Sequence, residues 1–411
     1  MNLSPPAVLL DPTAGSRWSA TSGRAGSPQA QFSAALLRAP LAAFVLTLSI
    51  LSASAQPPPH LVSPEVHPDH SVTFRLVSPG ATKVRLNLEG MPASFLQRDT
   101  AGVWTLTTPP LESDYYGYSF SVDGLPTLDP NNMSVKPGVL SLSNFLHVPG
   151  PATLSWELGQ VPHGEVHHHF YHSAICGDDR DYLVYTPPGY DPSGAERYPT
   201  LYLLHGFGDD ATGWIVSGRA NVILDNLIAE NKAKPMVVVM PLGYGAMEIV
   251  AKARAGNNNM RAGGMPLFLR NGDLFQKALL EEVMPQVEKE YRLSPAREDR
   301  AITGLSMGGG ESLQTGLAHP DLFGWVGAFS AGGLPEDIPA DFAAIDPAKD
   351  QQLKLLWIAC GTADGLYPFN QKLRAYFTSK GIPHTDISTP RAHVWMVWRR
   401  NLTAFAPLLF R

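Results

Sequence analysis

The run Ala301-Ile302-Thr303-Gly304-Leu305-Ser306-Met307-Gly308-Gly309-Gly310 decides the reading of this 411-residue chain. It passes from three apolar or β-branched residues through Gly-x-Ser-x-Gly into a helix-forming stretch, the context a nucleophile elbow requires. The physics is steric. A strand that turns so sharply into a helix leaves no room for side chains two residues before and two after the serine. In return the hydroxyl stands clear of the sheet at a helix N-terminus, where partial positive charge favours a developing anion. A chain with 37 glycines produces the bare pattern by chance as well, so the flanking strand and helix carry the argument.

Working outward, apolar runs alternate with helical stretches from about residue 165. Strands are expected at 181–186, 200–204, 236–240, 301–303, 325–328, 355–360 and 384–387. Helices are expected at 221–230, 274–291, 309–318, 369–380 and 397–409, with Pro285 kinking the second. That order makes 165–411 an α/β domain with a mostly parallel sheet covered on both faces. Such a sheet places its chemistry at the carboxyl ends of its strands.

Three features then supply partners for Ser306. In chains with this elbow the acid and base follow the serine in the order carboxylate, then histidine. Of the later histidines, His319 sits at a helix end as a cap and His384 opens the last strand. His393 lies in the loop Pro390-Arg391-Ala392-His393 before the final helix, where a base should enter. Asp364, in Gly361-Thr362-Ala363-Asp364, follows the strand 355–360, whereas its competitor Asp386 lies within a strand. His393 is expected to move the serine proton and Asp364 to hold the imidazole. His205-Gly206-Phe207-Gly208, just after the strand 200–204, is expected to form an oxyanion hole from the main-chain N–H groups of Phe207 and Met307. Trp214 and Trp395 are candidates to floor the substrate site.

Residues 56–150 read differently. Short alternating runs at 71–76, 83–88, 104–107 and 115–122 are separated by Ser78-Pro79-Gly80, Ala101-Gly102 and Asp123-Gly124. That spacing fits a β-sandwich. Residues 1–55 carry Arg17, Arg24 and Arg38, an uncharged apolar run from Leu41 to Leu51, and Ala53-Ser54-Ala55. These are the parts of a secretory signal peptide with an N-terminal extension, and the run is too short to span a membrane. Cleavage leaves Gln56 first, so a secreted or periplasmic location is expected, with no membrane attachment afterwards.

The remaining composition excludes rather than assigns. A net charge of −6 without a basic run argues against nucleic acid. Two cysteines, Cys176 and Cys360, make no disulfide framework, and whether they pair stays open. His163, His167, His168, His169 and His172 invite a metal reading, but no carboxylate or cysteine completes an evident ligand set. Neither metal nor cofactor is expected.

Two resemblances add to this. Asp99-Thr100-Ala101-Gly102-Val103-Trp104, the run from Tyr116 to Gly124, and Leu128-Asp129-Pro130-Asn131-Asn132 resemble the early-set, immunoglobulin-like modules that precede many carbohydrate-active enzymes. Val184-Tyr185-Thr186-Pro187-Pro188-Gly189-Tyr190, Tyr202-Leu203-Leu204-His205-Gly206, Gly213-Trp214 and Gly218-Arg219-Ala220-Asn221 belong to the second resemblance. So do Leu224-Asp225-Asn226-Leu227-Ile228, the elbow itself, and His393-Val394-Trp395 with Trp398-Arg399. Across 170–411 these resemble carbohydrate esterase family 1, the feruloyl and acetyl-xylan esterases, related to esterase D and enterochelin esterase. The resemblance implies an α/β-hydrolase fold and an acylated polysaccharide or oligosaccharide as partner, with catalytic roles on Ser306, Asp364 and His393. A siderophore-lactone esterase and an inactive carbohydrate-binding protein are the alternatives. The insertion-like stretch 245–270 departs from the pattern and is expected to be a loop over the site that sets the acyl group.

Overall fold

The computed structural model describes residues 61–151, 153–255, 264–335, 337–338, 342 and 353–411. The expected signal segment, residues 1–55, lies outside them. The described residues belong to one compact unit.

The N-terminal part is built from short antiparallel strands: β1 (Glu65–Val66), β2 (Val72–Val77), β3 (Val84–Leu88), β4 (Ser94–Phe95), β5 (Gln97–Arg98), β6 (Val103–Thr107), β7 (Asp114–Val122), β8 (Leu125–Thr127), β9 (Val135–Lys136) and β10 (Ser143–Val148). They make two sheets, β1-β2-β6-β5 and β4-β3-β7-β10-β9, with β8 on β7. Strand β3, Val84-Arg85-Leu86-Asn87-Leu88, buries alternate residues, the pattern of a sheet with one wet face. The sheets meet through those buried sides, where Phe74 of β2 lies edge-on to Tyr118 of β7 with ring centroids 4.9 Å apart.

The C-terminal part is an eight-stranded sheet among the described residues, in the order β11-β12-β14-β13-β15-β16-β17-β18. Its strands are β11 (Glu165–Ser173), β12 (Asp178–Thr186), β13 (Thr200–Leu204), β14 (Val237–Pro241), β15 (Arg300–Gly304), β16 (Trp325–Phe329), β17 (Leu355–Gly361) and β18 (Thr385–Thr389). From β14 to β18 all pairs are parallel, while β11 and β12 are joined antiparallel at one edge. Strands β13 to β16 are buried along their whole length, as expected where helices cover both faces. The chain runs from β13 to β14 on one side and to β15 on the other. That reversal opens a crevice at their carboxyl ends.

Helices α1 (Gly213–Val216), α2 (Ala220–Ala229), α3 (Glu248–Arg254), α4 (Gly264–Ala278), α5 (Met284–Glu290), α6 (Met307–Ala318), α7 (Tyr367–Ser379) and α8 (Trp395–Phe405) complete it. Two expectations need correction. The stretch 245–270 is not a loop where it is described, since α3 and the start of α4 occupy it; Glu248 lies in the first turn of α3, with Lys252 and Arg254 in its last, each complementing the helix dipole. Pro285 does not simply kink one long helix. A π-helical turn, Leu279–Val283, separates α4 from α5, relieving the clash between a proline ring and the carbonyl four residues earlier.

The two parts share one hydrophobic core. Phe74, Tyr118 and Leu146 belong to the same buried cluster as Trp214, Trp395 and Phe405. Through it runs Arg399 of α8, fully buried, ion-paired to the equally buried Asp114 of β7 at 2.7 Å. Its guanidinium also donates to the carbonyl of Tyr115 at 2.7 Å.

Candidate active site

Ser306 sits between β15 and α6 with φ 53° and ψ −115°, a conformation that side-chain-bearing residues rarely adopt. The two flanking glycines make it possible. A Cβ on Gly304 would stand 2.5 Å from the Gly308 carbonyl oxygen, and one on Gly308 would stand 2.5 Å from that of His205. The bend is locked by the Ser306 N–H, which donates to the Phe329 carbonyl at 2.8 Å.

His393 and Asp364 reach this hydroxyl from the loops before α8 and after β17. The His393 Nδ1–H donates to Asp364 Oδ2 at 2.7 Å, and its Nε2 lies 3.0 Å from Ser306 Oγ. An ionised carboxylate only accepts, so Nδ1 carries the proton and Nε2 is left to accept from the serine hydroxyl. Burial by itself raises the Asp364 carboxyl. The hydrogen bond and charge of His393, with the Leu366 N–H at 2.8 Å, outweigh it and hold the group below its ordinary value. His319 and His384 lie elsewhere: His319 ends α6, and the His384 Nδ1 bonds the Ile382 carbonyl at 2.8 Å.

The loop after β13 is set by His205. Its buried ring donates from Nδ1 to the Gly206 carbonyl at 2.8 Å and accepts the Gly243 N–H on Nε2 at 2.8 Å. Desolvation pushes its pKa down, so the ring is neutral and this tautomer is fixed. With the Gly206 carbonyl turned to the His205 ring, the trans peptide directs the Phe207 N–H away from that ring. Met307 opens α6, where N–H groups lack intrahelical partners. Neither the Phe207 nor the Met307 N–H has a hydrogen-bond partner among the described residues.

Above the serine lies a cavity of ≈ 330 Å³ lined by Phe207, Ser306, His393, Trp395 and Trp398. Trp395 is therefore at the cleft. Trp214 is not: it is fully buried, its Nε1–H donates to the Leu204 carbonyl at 2.8 Å, and it abuts Trp395 edge to face at 5.3 Å. It supports the tryptophan that lines the cleft rather than touching the contents.

One side of the cleft wall went unforeseen. Glu89, Lys136, Leu140 and Ser143 of the N-terminal part line the same cavity. Glu89 Oε1 accepts the Trp395 N–H at 2.7 Å, and Lys136 Nζ is 3.1 Å from Asp209 Oδ1 in the loop after β13. A contact between positions 306 residues apart leaves no trace in local sequence pattern. The histidines of β11 and the turn before it have separate partners: His163 with Asp225, His168 with Asp181, His169 with Tyr291, His172 with Asp179.

Residues 173–409, more than half of the chain, match the Esterase family model. The chain belongs to the esterase family. Its relatives are described as ester hydrolases. An endo-1,4-β-xylanase/feruloyl esterase of Xylanibacter ruminicola is 31% identical over 360 residues, 85% of this esterase. The chain spans only 46% of that relative's length. An acetyl esterase of Caldicellulosiruptor saccharolyticus is 22% identical over 51% of this chain and 82% of its own. Among solved structures, a ferulic acid esterase of Anaeromyces mucronatus is 26% identical, with a TM-score of 0.53 over 64% of this chain and 96% of that one. The enterobactin esterase of Shigella flexneri is 20% identical, with a TM-score of 0.61 over 82% of this chain and 92% of that one. That span is too long for 173–409 alone, so the shared fold extends into the N-terminal β part.

Proposed function

We propose that this esterase hydrolyses acyl esters carried on plant polysaccharide, feruloyl or acetyl groups on xylan, through an acyl-enzyme intermediate. The observation that carries the mechanism is the hydrogen-bonded relay from Ser306 through His393 to Asp364, opening on a cleft. Ser306 Oγ attacks the ester carbonyl as its proton passes to His393 Nε2, and the carbonyl oxygen becomes an oxyanion facing the Phe207 and Met307 N–H groups. Collapse of that intermediate breaks the bond to the alcohol, which leaves with the proton from His393. A water molecule then gives its proton to His393 and attacks the acyl-serine, and the acid departs as Ser306 regains its hydrogen.

Two things support the acyl group: the xylanase/feruloyl esterase relative, and the Anaeromyces enzyme, which has also been solved in complex with ferulic acid. Trp395 and Trp398 give the cleft aromatic surface suited to a cinnamoyl ring. The immunoglobulin-like character of the β part and export by residues 1–55 belong to the same proposal, with acylated polysaccharide met outside the cytoplasm. Turnover of methyl ferulate and acetylated xylan, compared with a catecholate trilactone, tests the substrate. Preference for the trilactone overturns it in favour of a siderophore esterase. Undiminished turnover by Ser306→Ala overturns the mechanism.

A further inference from the structure

The outward face of the N-terminal sheet carries a row of polar residues that ends in the catalytic cleft. Asn87 of β3 pairs with Ser119 of β7. One step along from the Asn144–Tyr118 pair, Ser143 of β10 falls opposite Ser119. Ser143 in turn pairs with Lys136 of β9. Residues directly opposite one another across strands point to the same face. The neighbours that alternate with them, Leu86, Leu88, Tyr118 and Phe120, are buried, so this face is the outer one. Three inter-strand spacings make the row about 14 Å long.

Two observations separate this row from an ordinary wet strand face. A groove of ≈ 360 Å³ follows it, lined by Asn87, Ser119, Ser143 and Lys136. Glu89, Lys136 and Ser143 line both this groove and the catalytic cavity, so the two are continuous. The side chains of Asn87, Ser119 and Ser143 have no hydrogen-bond partner among the described residues, which leaves an amide and two hydroxyls open to the groove.

The groove also enters on a particular side. His393 delivers its proton to the departing alcohol. Trp395, two residues on, is held by Glu89, and Lys136 Nζ lies 5.3 Å from the Trp395 ring centroid. The β part therefore adjoins the cleft beside His393, from which the alcohol takes its proton, as well as beside the loop of Asp209. We propose that the row Asn87–Ser119–Ser143–Lys136 is a subsite for the leaving group, and that it binds a polyhydroxylated alcohol, a saccharide chain bearing the ester. The neutral amide and hydroxyls of Asn87, Ser119 and Ser143 in line, with the Lys136 cation paired to Asp209, suit the repeated hydroxyls of such a chain. This inference rests on the ester-hydrolysis reading above and gives the saccharide half of that substrate its place on the protein.

The test uses Asn87→Ala/Ser119→Ala, since both residues line only the distal groove. Each lost neutral hydrogen bond changes binding by a factor of about 2 to 12. The double variant should therefore raise KM for a feruloylated arabinoxylo-oligosaccharide about tenfold with kcat unchanged, while both constants for methyl ferulate stay at wild-type values. Equal effects on both esters, or none on the oligosaccharide ester, overturn the subsite and leave the chemistry at Ser306 standing. A second measurement separates the two readings: calorimetric titration of Ser306→Ala with the same arabinoxylo-oligosaccharide lacking its ester. Binding weakened by the double substitution supports the row even if feruloyl esters prove poor substrates, and absence of binding overturns it.

Discussion

Arg399 offers the most demanding test of how the two halves of the molecule depend on each other. Its guanidinium has no exposure, and neither has the Asp114 carboxylate that faces it at 2.7 Å. Asp114 is also bonded to the Arg400 guanidinium through Oδ2 at 2.6 Å. The substitution Asp114→Ala leaves the Arg399 cation, among the described residues, with only the carbonyls of Tyr115 and Ser217. Stranding a buried charge in this way costs about 3–5 kcal/mol. Against a total stability on the order of 5–15 kcal/mol, that is about a fifth or more of the whole. At a slope of ~3 kcal/mol per M urea, the unfolding midpoint should fall by about 1 to 2 M. Urea denaturation followed by tryptophan fluorescence measures it. Trp104 and Trp156 report on the N-terminal part, and Trp214, Trp357 and Trp398 on the sheet and helices behind the site. Because one core joins both parts, the transition should remain single, and loss of ester hydrolysis should coincide with it. A midpoint within about 0.3 M of wild type, worth under about 1 kcal/mol at that slope, would refute the reasoning. So would early unfolding of the N-terminal part with activity retained, since the β strands would then be an appendage.

Other perturbations probe the site and its surroundings. Asp364→Asn should reduce kcat by about 10⁴ without comparable change in KM, because the amide leaves the His393 ring in the wrong tautomer; steady-state kinetics on p-nitrophenyl acetate decides it. Glu311, one turn into α6, is buried with only Asn271 as a side-chain partner among the described residues, at 3.3 Å, and burial raises its carboxyl well above the ordinary 4.5. The folded state therefore keeps a proton that the unfolded chain releases, and stability falls as pH rises above 4.5 by up to about 1.4 kcal/mol per unit until the folded group ionises. Glu311→Gln should match wild type in melting temperature at pH 4 and exceed it at pH 7; parallel curves would count against a neutral buried acid. Burial pushes the Cys360 thiol up to about 12, and neither cysteine is in a disulfide. Dithionitrobenzoate should therefore react with Cys176 alone in the native protein and with both thiols after denaturation.

What could be read from the sequence follows from the range of the interactions involved. Strands such as Thr200–Leu204 and Val237–Pro241 are buried on both faces, so burial alone makes them continuous apolar runs between turns. The elbow is legible because its strain is local: Gly304 and Gly308 are dictated by backbone atoms within a few ångströms. Asp364 and His393 could be located because parallel strands deliver their following loops to one rim. Strand β11 is legible only as a solvated strand edge around His167 and His169, since its run Glu165–Ser173 buries little and gains its order from pairing with β12. Trp214 misled for a related reason. A tryptophan's surface suits a ligand and a core equally, and only packing against Phe329 and Trp395 assigns it to the core.

The least legible feature bears most on how the cleft is built. Val139 and Leu140 pack beside Phe207 on the cluster containing Tyr244 and Met307, and Arg254 of α3 donates to the Val139 carbonyl at 2.8 Å. The stretch after β9 thus rests against the elements that present the Phe207 and Met307 N–H groups. Glu89 holds the first residue of α8, two positions beyond His393, while Arg399 anchors the same helix to β7. The β strands consequently bear on the proposed base from one side and on the proposed oxyanion hole from the other. A group held at hydrogen-bond distance loses its effect when displaced by a single ångström. Substitutions at this seam should for that reason act on kcat through the placement of His393 and Phe207, even where no residue changed touches the reacting ester.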